Sequence, residues 1–199
     1  MKTNLVKKGR KSLRLKNYDY AQDGLYFITI NCYNRMRIFG EIHFNKHEKF
    51  KVEMQLSDAG KIANQYWLDI PNHFPNVVLH DYVIMPNHIH GIIELNNKLV
   101  GVENLQPCNL ENLQPSKVEN LQPRRNEFQK VIPGSVGSIV RGFKIGVTKW
   151  MRQNTDIHDV WQRNYYEVII NNNQAYNEIS MYISNNPKKW LEEDENCRG

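Results

Sequence analysis

His88-Ile89-His90 sets two imidazoles two residues apart. On a β-strand, residues i and i+2 point to the same face. The two rings would then stand side by side, as a pair of nitrogen ligands to a divalent metal must. Ile92 shares that face, while Ile89, Gly91 and Ile93 point the other way, so one strand can carry metal donors on one side and core on the other. The bland alternative is two surface or hydrogen-bonded histidines. The apolar segments around the pair favour a place within a sheet. A second constellation is Tyr182 with Asn186, whose spacing of four puts both on one face of a helix. They flank a core stripe of Tyr176, Ile179 and Ile183. A tyrosine hydroxyl can be a nucleophile and an amide oxygen a metal ligand. The alternative here is an amphipathic helix with a packed tyrosine, and Tyr165, Tyr166 and Tyr176 remain rivals for the nucleophile.

The third constellation is basic. Residues 1–16 carry Lys2, Lys7, Lys8, Arg10, Lys11, Arg14 and Lys16 with no acid. Arg141, Lys144, Lys149 and Arg152 share the polar face of a helix, and Trp161-Gln162-Arg163 follows. Lysine and arginine bind phosphates, and aromatic rings stack on unpaired bases. A charge run can also be only a solvated surface. No GxGxxG, Walker or GxSxG motif is present, so nothing suggests a nucleotide cofactor or an α/β-hydrolase.

These residues need elements to hold them. Leu25 to Asn31 alternates as a strand, with Tyr26, Ile28 and Ile30 on one face. Arg37 to Phe44 and Phe50 to Leu56 read as shorter strands. Ser57 caps a helix whose apolar positions Ala59, Ile62, Ala63, Tyr66, Trp67 and Ile70 recur at helical spacing toward Pro71. Val77 to Met85 is an apolar strand that Pro86-Asn87 breaks before His88 to Leu95 resumes. A helix with Val136, Ile139, Val140, Phe143, Val147, Trp150 and Met151 inward starts at Ser135. Val160 to Ile170 is a strand or extended segment. A last helix from Gln174 to Asn185 should stop at Asn186-Pro187, because the residue before proline disfavours the α region. This order suggests an α+β fold with helices on a mainly antiparallel sheet.

Glu-Asn-Leu-Gln-Pro recurs at 103–107, 111–115 and 119–123. Eight residues cannot form a supersecondary unit, so a flexible surface insert at 101–134 is expected rather than a solenoid. The expected organisation is a basic arm at 1–24, one catalytic domain at 25–190 containing that insert, and an acidic tail at 191–199 with Glu192, Glu193, Asp194 and Glu195.

Length and composition agree. The chain has 199 residues, 40% hydrophobic and 24% charged, enough for one core. Mean hydropathy is −0.65, and no stretch nears the roughly 18 apolar residues of a membrane span. No secretory h-region follows the basic N-terminus. The three cysteines, Cys32, Cys108 and Cys197, form no CxxC pair, which argues against a zinc ribbon and fits a reducing cytoplasm. The net charge of +5 agrees with a polyanionic partner.

Met85-Pro86-Asn87-His88-Ile89-His90-Gly91 resembles the HUH motif of the small single-tyrosine transposases. Arg10-Lys11-Ser12-Leu13-Arg14-Leu15 with Tyr18-Asp19-Tyr20 and Gly24 to Thr29 is similar to the N-terminus of the REP-associated branch. So are Ser138 to Lys144, Val160 to Glu167 and Tyr182 to Pro187. The resemblance implies a ferredoxin-like, RRM-like sheet with the HUH strand near its centre. It implies a bacterial, DNA-associated enzyme that cuts single-stranded DNA at sites set by short hairpins. Tyr182 would become joined to the 5′ phosphate, and His88, His90 and Asn186 would hold Mg²⁺ or Mn²⁺. Relatives often have glutamine at the Asn186 position. DNA contacts fall to Arg10, Lys11, Arg14 and Lys16, and to Arg141, Lys144, Trp161 and Arg163. A monomer or a homodimer is consistent with the resemblance. Competing readings are a domesticated hairpin-binding protein without transposition activity, an RNA-binding module and a metal phosphodiesterase that uses water.

Overall fold

The computed structural model describes residues 18–45, 51–99 and 132–196. Arg10, Lys11, Arg14 and Lys16 of the basic arm, and the repeats of 101–124, lie outside these.

Strands β1 (Gly24–Asn31), β4 (Val77–Met85), β5 (His88–Leu95) and β6 (Tyr166–Ile170) form one sheet in the order β4-β5-β1-β6. Every neighbouring pair is antiparallel. Helix α1 (Asp58–Leu68) connects β1 to β4, and α3 (Val136–Asn154) connects β5 to β6. The main chain is therefore β1-α1-β4-β5-α3-β6, the ferredoxin-like split βαβ arrangement, with β5 and β1 at its centre. A separate hairpin, β2 (Gly40–Asn45) with β3 (Lys51–Leu56), is inserted before α1. A short helix α2 (Ile70–His73) begins with Pro71 in its first turn, where a missing N–H costs nothing.

Helices α1 and α3 close one face of the sheet. The Ser57 hydroxyl accepts from Gly60 N–H at 3.1 Å and caps α1, and Ser135 does the same for α3 from Ser138. Ala63 and Trp67 from α1, and Ile139, Phe143 and Val147 from α3, pack on Tyr26, Ile28, Ile30, Ile89 and Ile93 of the strands. Two glycines permit this closeness. A Cβ on Gly91 would stand 2.3 Å from the Trp67 indole, and one on Gly146 would stand 2.7 Å from the Tyr66 ring. Helix α4 (Asn173–Asn196) lies on the opposite face, where Ile183 joins Ile92 and Ile170 in a smaller cluster.

Three elements differ from the sequence expectation. The strand sought over Val160 to Ile170 is a single bridge, Trp161 to Cys32, followed by β6, because Asn164 turns the chain at φ 69°. The strand expected from Arg37 begins at Gly40. The last helix does not stop at Asn186-Pro187 but runs through Pro187 to Asn196. Proline inside a helix removes one backbone hydrogen bond and costs about 3 kcal/mol. Ile183 and Asn186 are buried on the sheet on either side of the lost bond, and that packing carries the helix across. Residues 191–196, expected as tail, continue the helix.

Candidate active site on the second face of the sheet

Helix α4 packs over β4 and reaches the neighbouring β5 with its side chains, running against β5 so that later helix residues meet earlier residues of that strand. Tyr176 reaches His80, which is itself bonded to Glu94. Tyr182 reaches His90, Asn186 reaches His88, and Trp190 packs by His88 one turn further on. The match arises because four helical residues advance about 6 Å and two strand residues about 7 Å. A Tyr-x-x-x-Asn pair on a helix therefore registers with a His-x-His pair on a strand.

The two imidazoles are 4.5 Å apart between ring centroids. His90 is 5% exposed and Asn186 is 7% exposed, whereas Tyr182 keeps 38% of its surface open. The Tyr182 hydroxyl lies 3.3 Å from His90 Nε2. Its ring stands edge-on to Phe27, which stacks on His90 at 5.3 Å.

Neighbours that the sequence reading missed orient both rings. Thr29 lies directly across from His90 in the β1–β5 register, and its hydroxyl oxygen is 2.8 Å from His90 Nδ1. When His90 Nδ1–H donates to Thr29, Nε2 keeps its lone pair and accepts from the Tyr182 hydroxyl. For His88, the Asn87 amide nitrogen donates to the Arg35 carbonyl at 3.3 Å, which turns its oxygen to within 2.7 Å of His88 Nδ1. His88 Nδ1–H donates to that oxygen, which leaves the Nε2 lone pair free, and Asn186 is a neighbour of the same ring. Threonine and asparagine thus fix which nitrogen of each ring keeps its lone pair, as the outer partners of a metal-binding imidazole would.

Burial dominates the electrostatics. It lowers the His88 pKa from its ordinary value to about 4, with Arg35 adding to the shift and the Asn186 hydrogen bond opposing it. Burial also lowers His90 to about 3, with His88 adding to it. Both imidazoles are neutral at pH 7, with lone pairs available to a cation. A nitrogen that weakly basic suits ligation better than removal of a tyrosine proton.

Among the described residues no group of three or more His, Cys, Asp or Glu side chains could hold a metal. The donors here are instead two imidazoles and one amide, His88, His90 and Asn186, all uncharged. That set fits a divalent ion with appetite for nitrogen, Mn²⁺ ahead of Mg²⁺, since Mg²⁺ strongly prefers oxygen and retains its waters.

The other sequence candidates fall elsewhere. Arg141 and Lys144 lie on α3, over the opposite face of the sheet. With Lys149, Arg152, Asn164 and Tyr165 they line a groove of about 760 Å³. The Lys144 ammonium donates to the carbonyls of Gln162 at 3.1 Å and Asn164 at 2.5 Å, and burial lowers its pKa to about 8. Trp161 packs between Phe39 and Phe143 and donates to the Lys144 carbonyl, while Arg163 is exposed. These residues are not brought to the histidines. Of the rival tyrosines, Tyr165 donates to Glu167 at 2.8 Å and Tyr176 meets His80. Tyr166 is exposed on β6, across β1 from His90 through Thr29. The bond between Tyr176 and His80, itself paired with Glu94 at 2.9 Å, and the bond that Ser180 donates to Asp81 tie α4 to the sheet before Tyr182. Buried Cys32 has its thiol pushed up to about 12 and is unreactive.

The ferredoxin-like sheet and the helix laid over its second face are shared with a solved transposase. The structure of a REP-associated tyrosine transposase bound to a REP hairpin superposes with a TM-score of 0.51. The match covers 90% of this chain and 74% of that one at 17% identity, a likeness of fold. A chain from Deinococcus radiodurans R1, provisionally named a transposase, reaches a TM-score of 0.42 at 13% identity over 90% of this chain and 97% of its own, too distant to add to the argument. In sequence, the chain is 46% identical over 181 residues to an uncharacterized protein of Haemophilus influenzae, covering 91% of this chain and 89% of that protein. The two belong to one family. No family model matches the chain.

Proposed function

We propose that the protein is a metal-dependent single-stranded DNA endonuclease and strand transferase acting at hairpin-flanked sites, with Tyr182 as nucleophile. The observation that carries this is the placing of α4 against the histidine face of the sheet, which sets a partly exposed tyrosine against buried His90 and a buried asparagine beside His88.

His88, His90 and Asn186 would hold the cation, which when bound polarises the scissile phosphate and stabilises charge in the transition state. The Tyr182 oxygen then attacks phosphorus in line. An O–P bond to the tyrosine forms, the bond to the 3′ oxygen breaks, and the 3′ hydroxyl leaves with the 5′ phosphate held on Tyr182. Attack by a 3′ hydroxyl reverses the exchange and frees the tyrosine, so rejoining needs no nucleotide. Phe27, Thr29 and Asn87 keep the rings and the nucleophile in place. Arg141 and Lys149 on α3, exposed Arg163, and the basic arm with Arg10, Lys11, Arg14 and Lys16 would bind the hairpin backbone. Lys144 and Trp161 would act by shaping the segment that carries Arg163.

The test is incubation of labelled single-stranded hairpin DNA with Mn²⁺ and resolution on a denaturing gel. A protein–DNA band that depends on the metal is expected. Cutting without a covalent band would instead indicate a water-using phosphodiesterase.

A further inference from the structure

We infer that Tyr166 and Val168, with Phe27 beside them, form a platform on which the base of a nucleotide adjoining the scissile phosphate stacks. The inference rests on the strand-transfer reading above and adds to it a place for an unpaired base.

Residues paired across neighbouring strands point to one face of a sheet. Tyr166 pairs with Thr29, and Thr29 with His90, so the three form a row across β6, β1 and β5. Val168, Phe27 and Ile92 form the next row on the same face. Ile170, in the row after that, is buried with Leu25 and Ile183 in the cluster under α4. From there α4 packs over β4 and leaves the rest of β6 bare. Tyr166 keeps 46% of its surface open and Val168 53%, although both lie on the face that carries the histidines. Among the described residues the Tyr166 side chain has no hydrogen-bond or ring partner. Tyrosine and valine favour strands whatever their use. What distinguishes these two is their place.

That place points to one occupant. Tyr182 bonds to His90 and stands edge-on to Phe27 of β1. With α4 over β4, the open approach to the Tyr182 hydroxyl is over β1 and β6. His90 and Tyr166 stand two strand spacings apart, about 10 Å between main chains. A sugar and base can cross that gap from a phosphate held at the histidines. The platform carries no charge, which suits the face of a base rather than a phosphate. Of the nearest acids, Glu167 points to the opposite face by alternation and accepts from Tyr165, while Glu178, one turn before Tyr182 on α4, accepts from Gln174. Two part-open side chains offer far less than the about 800 Å² per partner that a stable protein interface covers. They are enough for one base, and aromatic rings hold unpaired bases of any sequence.

The test reads anisotropy of a fluorescein-labelled DNA hairpin with single-stranded tails, on a Tyr182→Phe background so that no strand is cut. A second hairpin has abasic tails, with every phosphate kept and the bases removed. Tyr166→Thr, which keeps a strand-favouring residue, should weaken binding of the first hairpin about tenfold and leave that of the abasic one within about twofold. The slope of affinity against salt should not change, because no ionic contact is lost. Tyr166→Phe, which retains the ring, should bind as the background does. Thermal midpoints should stay within a few degrees. Equal affinity of Tyr166→Thr and the background for the first hairpin would overturn the platform, as would a loss shared by the abasic hairpin or one that tracks a falling midpoint. So would a dimer, seen in sedimentation, that Tyr166→Thr dissociates with DNA affinity unchanged, since a second copy would then cover this face. A wild-type chain that forms no Tyr182-dependent adduct, while Tyr166→Thr still shows the base-dependent loss, would instead refute the strand-transfer reading and leave the base platform standing.

Discussion

Ile89, Gly91 and Ile93 point into a core closed by α1 and α3, while His88 and His90, their immediate neighbours, point to a face that α4 covers only in part. On the first face, complementarity is tight enough that one methyl group at Gly91 would overlap the Trp67 ring. On the second, buried His90 and Asn186 sit among polar partners and Tyr182 remains partly open to solvent. The alternation of a single strand thus separates two jobs. One side supplies rigidity, and the other spends it on holding neutral imidazoles and a tyrosine where apolar side chains would be more stable.

Substitutions at adjacent positions should therefore give opposite phenotypes. His90→Gln should lower adduct formation by about 100-fold to 1,000-fold, the scale of losing a preorganised group at the reacting centre, with the urea midpoint preserved. Gly91→Val should do the reverse: it should cost about 3 kcal/mol or more of stability by forcing Trp67 out of the core, seen as a lowered urea midpoint. If His90→Gln also unfolds the chain, the separation of faces is wrong. Thr29→Val, nearly isosteric, removes only the partner of His90 Nδ1 and should weaken Mn²⁺ affinity about 10-fold to 100-fold by titration calorimetry.

A smaller effect concerns pH. His88 and His90 have folded pKa values of about 4 and about 3, below the ordinary value of 6.5. As pH falls below 6.5 the unfolded chain takes up protons that these residues refuse in the fold. Stability is therefore full above pH 6.5 and is lost as pH falls toward 4. Urea titrations of metal-free protein at pH 7 and pH 5 should show a loss of about 1 to 2 kcal/mol per histidine, reduced in His90→Gln. An unchanged pH slope in that variant would show that His90 is not buried as a neutral ring.

Much of this division was legible in the sequence. The alternation of Tyr26, Ile28 and Ile30, and the spacing of His88 with His90 and Tyr182 with Asn186, required only the periods of strand and helix. The ferredoxin-like sheet followed from the family resemblance and stands in the structure. Less accessible were the residues whose role depends on pairing across the sheet. Thr29 gains its meaning only from the register that sets it opposite His90, and Asn87 from a turn whose carbonyl belongs to Arg35. Trp190 was hidden for a different reason. Local preference ends a helix before Pro187, and tertiary burial of Ile183 and Asn186 overrides it. The Asn186-Pro187 step was the one signal that something other than propensity was at work. Lys144 and Trp161 show the converse, since basic and aromatic residues on a helix face and a loop suggested ligand contacts, and in the fold Trp161 bonds to the Lys144 carbonyl and Lys144 to those of Gln162 and Asn164.

The central claim is that Tyr182 is the group that becomes bonded to DNA. The measurement that reaches it most directly is intact-mass spectrometry of the protein after incubation with a single-stranded hairpin oligonucleotide and Mn²⁺, wild type beside Tyr182→Phe. The wild type should gain the mass of the 5′-phosphorylated downstream fragment, mapped to a peptide containing Tyr182, and the variant should gain nothing while melting as the wild type does. An adduct of the same mass on the Tyr182→Phe chain, at Tyr166 or Tyr176 for instance, would contradict the account.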